Sequence, residues 1–268
     1  MHIHTTASDG KLTVNEIINM ACKNDVKYIA ITDHDSVEVV KKAIELGKEK
    51  GIIVIPGIEM TVNWKSIVHI LGYFIDTNDN SILDACNTIH NSRVTELINV
   101  IRNLKKLGIQ IDVIDIKLQK LDSITSIAKY LVKKGYGSNT EEILNKYLRR
   151  GGLAYVARHG LEAKRAISVI KNAGGVAVLA HPDRIKVTEF ELFQYIDELV
   201  NAGLDGIEVY SEHNKNVKKY KEYCIERKLL ITGGSDFHNL QENEIGKYKG
   251  REIPFDIVFK CVGNMIRK

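Results

Sequence analysis

Short apolar runs alternate with amphipathic stretches along most of this chain. Residues 28–33, 52–55, 67–74, 176–180, 206–210 and 229–232 are runs of strand length, too uniformly apolar for a sheet with one wet face. Between them lie segments with apolar residues at helical spacing. Thr13, with Glu16 three residues on, forms a capping box for a helix reaching about Asn24. Ser36 is placed to cap a second helix that stops near Gly51. Residues 161–173, 190–202, 216–227 and 254–265 are further helices, the first closed by Gly174-Gly175 and the second by Gly203. Strand and helix in alternation predict an α/β protein of parallel βα units, as a barrel or a doubly wound sheet. The alternation fails between residues 77 and 151, where the pattern predicts helices at 83–107, 124–134 and 141–150, the last capped by Thr140. The expectation is a barrel of residues 1–76 and 152–268 interrupted by a helical insertion, 77–151.

The polar residues at the ends of the apolar runs carry the chemistry. His2-Ile3-His4 reads as a strand, in which residues i and i+2 face the same way and set two imidazoles side by side. Asp9, His34, Glu59, His69, His181, Asp236 and His238 each lie in or just after a predicted strand. In a βα barrel the C-terminal strand ends share one rim. Singly, each has a plainer explanation. Asp9 in Ser-Asp-Gly suits a turn, His69 suits a satisfied core histidine, Asp35 a helix cap, and His181-Pro182 a strand exit. Together these explanations would need six of the nine histidines to reach strand ends by accident. Of the other three, His90 reads as a solvated helix position, His159 as loop, and His213 as a substrate contact just past a strand end. A nitrogen and oxygen set without cysteine suits Zn, Mn or Fe. Nine ligands exceed one ion's needs, which points to two or three ions bridged by a carboxylate such as Glu59.

Composition narrows the setting. Of 268 residues, 44% are hydrophobic and 27% charged, ordinary for a globular protein that buries its own core. A net charge of +4 suits a phosphorylated substrate, and the lack of a long basic run or an aromatic-studded basic stripe argues against a stable nucleic-acid partner. Cys22, Cys86, Cys224 and Cys261 form no CxxC pair. Free thiols make the cytoplasm the default location, and no eighteen-residue apolar run offers a membrane span.

The stretches HIHTTASDG, ITDHD, GIE, VHILGY, AHP and GGSDFH resemble the successive motifs of the PHP (polymerase and histidinol phosphatase) metallophosphoesterases. The resemblance covers essentially the whole chain. It is closest to the TrpH-like branch of 3′,5′-nucleotide bisphosphate phosphatases and 5′-to-3′ exoribonucleases. It implies a distorted (β/α)7 barrel with a trinuclear site whose insertion lids the open rim. By that likeness His2, His4, Glu59 and Asp236 hold one metal, Glu59, His69 and His181 a second, and Asp9, His34 and His238 a third. Mn2+ is the first choice of ion, with Zn2+ or Fe2+ as alternatives. Arg184 and His213 match positions that meet substrate phosphate, and Arg93 and Tyr155 match positions near the substrate cleft. Asp236, His213 and Arg184 are the expected catalytic group.

The implied activity is hydrolysis of phosphate esters of nucleotides, or of an RNA 5′ end, by a metal-bound hydroxide. The alternatives are a histidinol-phosphate-type phosphatase and a non-catalytic metal- or phosphate-binding module. Two departures stand out. Family members carry Asp-Leu ahead of the HxH, whereas Met1 alone precedes His2, so a short and truncated first strand is expected. Close relatives carry Arg-x-His in the insertion where this chain has Ile124-Thr125-Ser126, so weak selection for a second phosphate is expected.

Overall fold

The computed structural model describes residues 1–111, 123–157, 160–241, 244–249 and 251–252. The expected helix at 254–265, Cys261 and His159 lie outside them. Two compact units emerge: Met1–Cys86 with Leu161–Lys268, and Asn87–Gly160. The second begins and ends about ten residues later than the expected insertion. Packing explains the shift. Ile82 and Ala85, at the start of the long helix Asn80–Lys106, belong to the core of the first unit. Leu97, Val100 and Leu104, later in that helix, join Ile127, Leu131, Tyr147 and Ala154 in a separate core. Helical periodicity is continuous across that boundary and does not mark it.

The first unit is built on a seven-stranded mixed sheet. Its strands are β1 (Tyr28–Ile31), β2 (Ile53–Asn63), β3 (Ile67–Tyr73), β4 (Leu161–Glu162), β5 (Val176–Leu179), β6 (Gly206–Ser211) and β7 (Leu230–Gly234). The hydrogen-bonded order is β1-β2-β3-β5-β6-β7, with β4 on the far end of β2. β1 and β2 are parallel, as are β5, β6 and β7. β3 corrects the all-parallel expectation, because it runs antiparallel to both β2 and β5. The cause is the short link Trp64–Ser66, a hairpin turn where a parallel crossover would need a dozen residues or more.

A second correction concerns β2. It is one continuous strand that carries Glu59 inside it, where the sequence suggested a strand ending at residue 55. Its alternation sets the site. Ile58, Met60 and Val62 fill the core against the helices, so Glu59 and Thr61 must face the other way. Val68 and Ile70 do the same for His69 on β3.

The first four residues close the sheet. Thr32 N donates to Ile3 O, and His4 N donates to Phe237 O. Phe237 N donates in turn to His2 O, and Ser235 N to Met1 O. The stretch thus lies between the end of β1 and the segment after β7, making a distorted barrel. It is not a regular strand as expected: Ile3 forms a single parallel bridge to Phe237, and His2 has φ +67°. Ile3 still points into the core with Ile29, Ile31 and Phe237, which leaves both imidazoles on the opposite side.

Helix caps follow the sequence in part. Thr13 and Glu16 form the capping box of helix Val14–Lys23. Ser36 does not cap the next helix, Val40–Lys50, whose N-cap Val39 has no side-chain bond. Ser36 instead accepts from Glu38 N in a local turn. Asn139, not Thr140, caps helix Thr140–Ile143, which runs on as a π-turn, Leu144–Leu148. Leu161 and Glu162 pair with β2 before helix Ala163–Asn172 begins. Among the described residues, no helix is long and apolar enough to cross a membrane.

Candidate metal centre

Glu59 is fully buried, and five imidazoles converge on it. His2 Nε2, His4 Nε2 and His34 Nδ1 lie 3.2, 3.1 and 3.1 Å from its Oε2. His69 Nδ1 and His181 Nε2 lie 3.1 and 3.0 Å from Oε1. The two oxygens therefore face different histidine sets, the arrangement of a bridging carboxylate. Asp236, just past β7, divides in a similar way. Its Oδ1 is 3.2 Å from both His2 Nε2 and His4 Nε2. Its Oδ2 is 2.9 Å from His213 Nε2 and 3.3 Å from Arg184 Nη1. Asp9 Oδ1 lies 3.5 Å from His4 Nδ1 and 3.3 Å from His238 Nε2, and its Oδ2 3.8 Å from His34 Nε2.

Three groups of donor atoms are close enough to share an ion: His2, His4, Glu59 and Asp236; His34, Glu59 and His69; and His4, Asp9, His34 and His238. All nine residues singled out in the sequence come together. The grouping differs from the expected sets in that His34 takes the place of His181 in the second, and so serves two groups, and His4 joins the third. His181 stands next to the second, its Nε2 3.3 Å from His69 Nδ1.

The cluster's hydrogen-bonding state tests whether it suits a metal. Buried polar groups are almost always paired. Among the described residues, twelve buried side-chain atoms make no hydrogen bond, and half belong here: His2 Nε2, His4 Nδ1 and Nε2, His34 Nδ1, His181 Nδ1 and Glu59 Oε2. Apart from His181 Nδ1, these atoms have close contacts that are not aligned as hydrogen bonds, and a divalent cation would supply the missing partner to those that carry a lone pair. Burial alone would raise the Glu59 pKa. The nearby charges of His34, His2 and His69, with a hydrogen bond to His181, outweigh it and hold the carboxyl well below its usual range. Burial likewise opposes ionisation of Asp236, and His2, His213 and His4 overcome it. Both remain carboxylates, and the nitrogen–oxygen set fits a first-row divalent ion.

Local structure explains why these side chains hold their places. Asp33 accepts from Thr5 N at 2.7 Å, Thr5 Oγ1 at 2.8 Å and Ser8 Oγ at 2.6 Å, and so shapes the turn that carries Asp9. Asp35 accepts from Thr61 N at 2.7 Å and Thr61 Oγ1 at 2.8 Å, and is no helix cap. His238 donates from Nδ1 to the Asp236 carbonyl at 2.8 Å, which leaves Nε2 toward Asp9. His2, His181 and Asp236 all have positive φ, at 67°, 27° and 48°, strain of a kind that gathers at functional sites. Gly234 makes room for His2: a Cβ there would lie 2.4 Å from His2 Cβ and 2.3 Å from Met1 O.

Sequence reading missed Glu208. It lies in the middle of β6, fully buried, and accepts from His2 Nδ1 at 2.8 Å and from His181 N at 3.0 Å. The available signal was an acidic residue inside the otherwise apolar run Gly-Ile-Glu-Val-Tyr. Arg93, on helix Asn80–Lys106, and Tyr155 belong to the second unit. Ser126 is committed locally, because Ser123 and Ser126 form the capping box of helix Ile124–Lys133.

Strands and strand ends that bring histidines and carboxylates into one largely buried cluster define an α/β barrel with a candidate metal centre. The chain belongs to the PHP domain family, which matches residues 1–232. It is 30% identical over 246 residues to a 3′,5′-nucleoside bisphosphate phosphatase of Chromobacterium violaceum, covering 89% of this chain and 86% of that protein. It is equally 30% identical over 246 residues to a 5′-3′ exoribonuclease of Haemophilus influenzae, covering 89% of each. An amidohydrolase structure from Chromobacterium violaceum with bound sulfate superposes with a TM-score of 0.83 at 27% identity, covering 98% of this chain and 95% of that one.

Proposed function

We propose that this chain is a metal-dependent phosphoesterase whose substrates are small phosphorylated molecules of the nucleotide class, including the 5′ end of short RNA. The observation that carries the reading is Asp236: one carboxylate oxygen faces the imidazoles of His2 and His4, and the other faces Arg184 and His213. A donor set and a cationic, proton-bearing pair thus meet at one residue. On the family resemblance, His2, His4, Glu59 and Asp236 would hold one ion, Glu59, His69 and His181 a second, and Asp9, His34 and His238 a third, with Mn2+ the first candidate; the donor atoms as they lie also allow His34 in the second and His4 in the third. Bound divalent ions would supply charge neutralisation at the phosphoryl oxygens and a lowered pKa for water.

The chain's own groups complete the chemistry. Arg184, half exposed, offers N–H donors to non-bridging phosphate oxygens and stabilises the charge that grows there. Asp236 Oδ2 pairs with His213 Nε2 and so orients the ring, which makes the two residues the candidate pair for proton transfer to the leaving oxygen. Arg93 and Tyr155 are proposed substrate contacts on family resemblance alone. The relatives' substrates support a nucleotide. The cytoplasm is the proposed compartment, on the strength of the free cysteines.

The test removes metal exhaustively, then restores Mn2+ or Zn2+, and follows hydrolysis of a generic phosphate monoester and a nucleotide panel. Loss and recovery of turnover are expected, and Glu59→Gln should be folded and inactive. Full turnover by metal-free protein would refute the proposal.

A further inference from the structure

Glu208 has no place in the chemistry above, yet it is a fully buried carboxylate within an apolar strand. A buried charge is costly unless it is matched by donors. Glu208 has two, and each belongs to a different ligand. Oε1 accepts from the ring of His2, and Oε2 accepts from the backbone N–H of His181. Those two residues have φ of +67° and +27°, conformations that L-residues avoid, and the same carboxylate holds the ring of one and the backbone of the other. Oε1 lies over Gly234, where a Cβ would come within 2.7 Å of it. With a proton kept on His2 Nδ1, only Nε2 is free, and that nitrogen points at Glu59 and Asp236.

We propose that Glu208 is a positioning residue that fixes the His2 tautomer and the His181 backbone together, so that the first and second metal positions fill as a linked pair. The inference rests on reading the cluster as a metal centre. A carboxylate is required because it accepts at both ends. Glutamine of the same size accepts at one end only. It must turn its amide either toward His2 Nδ1, which drives the ring proton to Nε2, or toward the His181 N–H, where two donors meet.

The experiment compares the natural chain with Glu208→Gln by calorimetric titration with Mn2+ and Zn2+, with bound metal counted by elemental analysis. Outer hydrogen-bond partners of metal-bound histidines typically contribute about 10–100-fold in affinity. Glu208→Gln should therefore bind at least about tenfold more weakly and lose two ions together. His2→Ala serves as the comparison that removes one ligand directly. Nitrogen-15 spectra of the Zn2+-loaded natural protein should place the His2 proton on Nδ1, a readout that does not depend on the variant folding. A Glu208→Gln protein with natural stoichiometry and affinity within twofold, loss of one ion alone, or a His2 proton on Nε2 would overturn the inference. A natural chain that binds no metal would instead sink the metal-centre reading itself.

Discussion

Replacing Gly234 by Ala probes how tightly the barrel closure and the centre are built together. The added Cβ would lie 2.3 Å from Met1 O, 2.4 Å from His2 Cβ and 2.7 Å from Glu208 Oε1. Two of these neighbours are backbone or its first side-chain carbon, so no rotamer change relieves the clash. Restoring ordinary contact requires the first residues and β7 to part by about 1 Å, an overpacking that costs roughly 1–3 kcal/mol. At about 2–4 °C per kcal/mol for a chain near this size, Tm should fall by roughly 2–12 °C. The displaced element carries His2, whose ring sits 2.8 Å from Glu208 and 3.2 Å from Glu59. Metal sites tolerate only about 0.2 Å in ligand distance, so affinity should drop at least about tenfold. Gly51→Ala is the control. Its φ is +69° with nothing within 4 Å of the new Cβ, so about 1 kcal/mol of backbone strain is expected with no change in metal binding. Thermal unfolding and metal titration of both variants decide the matter. Gly234→Ala with affinity within twofold of the natural chain would refute the reasoning.

Other expectations follow from the same geometry. Arg184→Ala and His213→Gln should each lower kcat by roughly 10²-fold or more while leaving metal content unchanged, measured by steady-state kinetics alongside elemental analysis; loss of metal would place them among the ligands. Met60→Ala, at a fully buried core position on the face opposite Glu59, should cost about 2–5 kcal/mol in denaturant unfolding, with kcat/KM retained wherever the variant is folded. The natural chain should show little preference for a 3′,5′-bisphosphate over a 5′-monoester. Ile124→Arg with Ser126→His should raise kcat/KM for the bisphosphate about tenfold, as a charge-assisted phosphate contact provides. Because Ser126 is the N3 member of a capping box, that variant should also lose about 0.3–1.5 kcal/mol of stability.

The barrel strands and most of the polar residues that gather at the centre were legible because strand-length apolar runs are punctuated by histidines and carboxylates. Glu59 and His69 interrupt apolar sequence in this way, and the alternation of β2 and β3 turns both away from the core. The direction of β3 was less visible, since an apolar run carries no sign of its orientation; only the short Trp64–Ser66 link does. Glu208 was missed because its reason for being buried lies in His2 and His181, 206 and 27 residues away. Asp33 and Asp35 flank His34, yet each is bound to a different segment, Thr5 and Ser8 for one and Thr61 for the other. The end of the insertion eluded pattern reading because Ala154 packs with the helical core from outside any regular helix.

The Met1–His4 stretch that closes the barrel also has consequences for exchange with solvent. Its amide hydrogen bonds reach β1 on one side and the segment after β7 on the other, and the same residues present two imidazoles to the centre. Detaching this stretch therefore withdraws both imidazoles and opens the sheet in a single event. Any ion that binds only the closed form holds the stretch shut by mass action, and at a hundred times its Kd it adds about 2.7 kcal/mol to the opening free energy. The His4 and Phe237 amides then become reporters of occupancy, with deuterium uptake slowed about a hundredfold by saturating metal while amides in helix Val14–Lys23 keep their own pace.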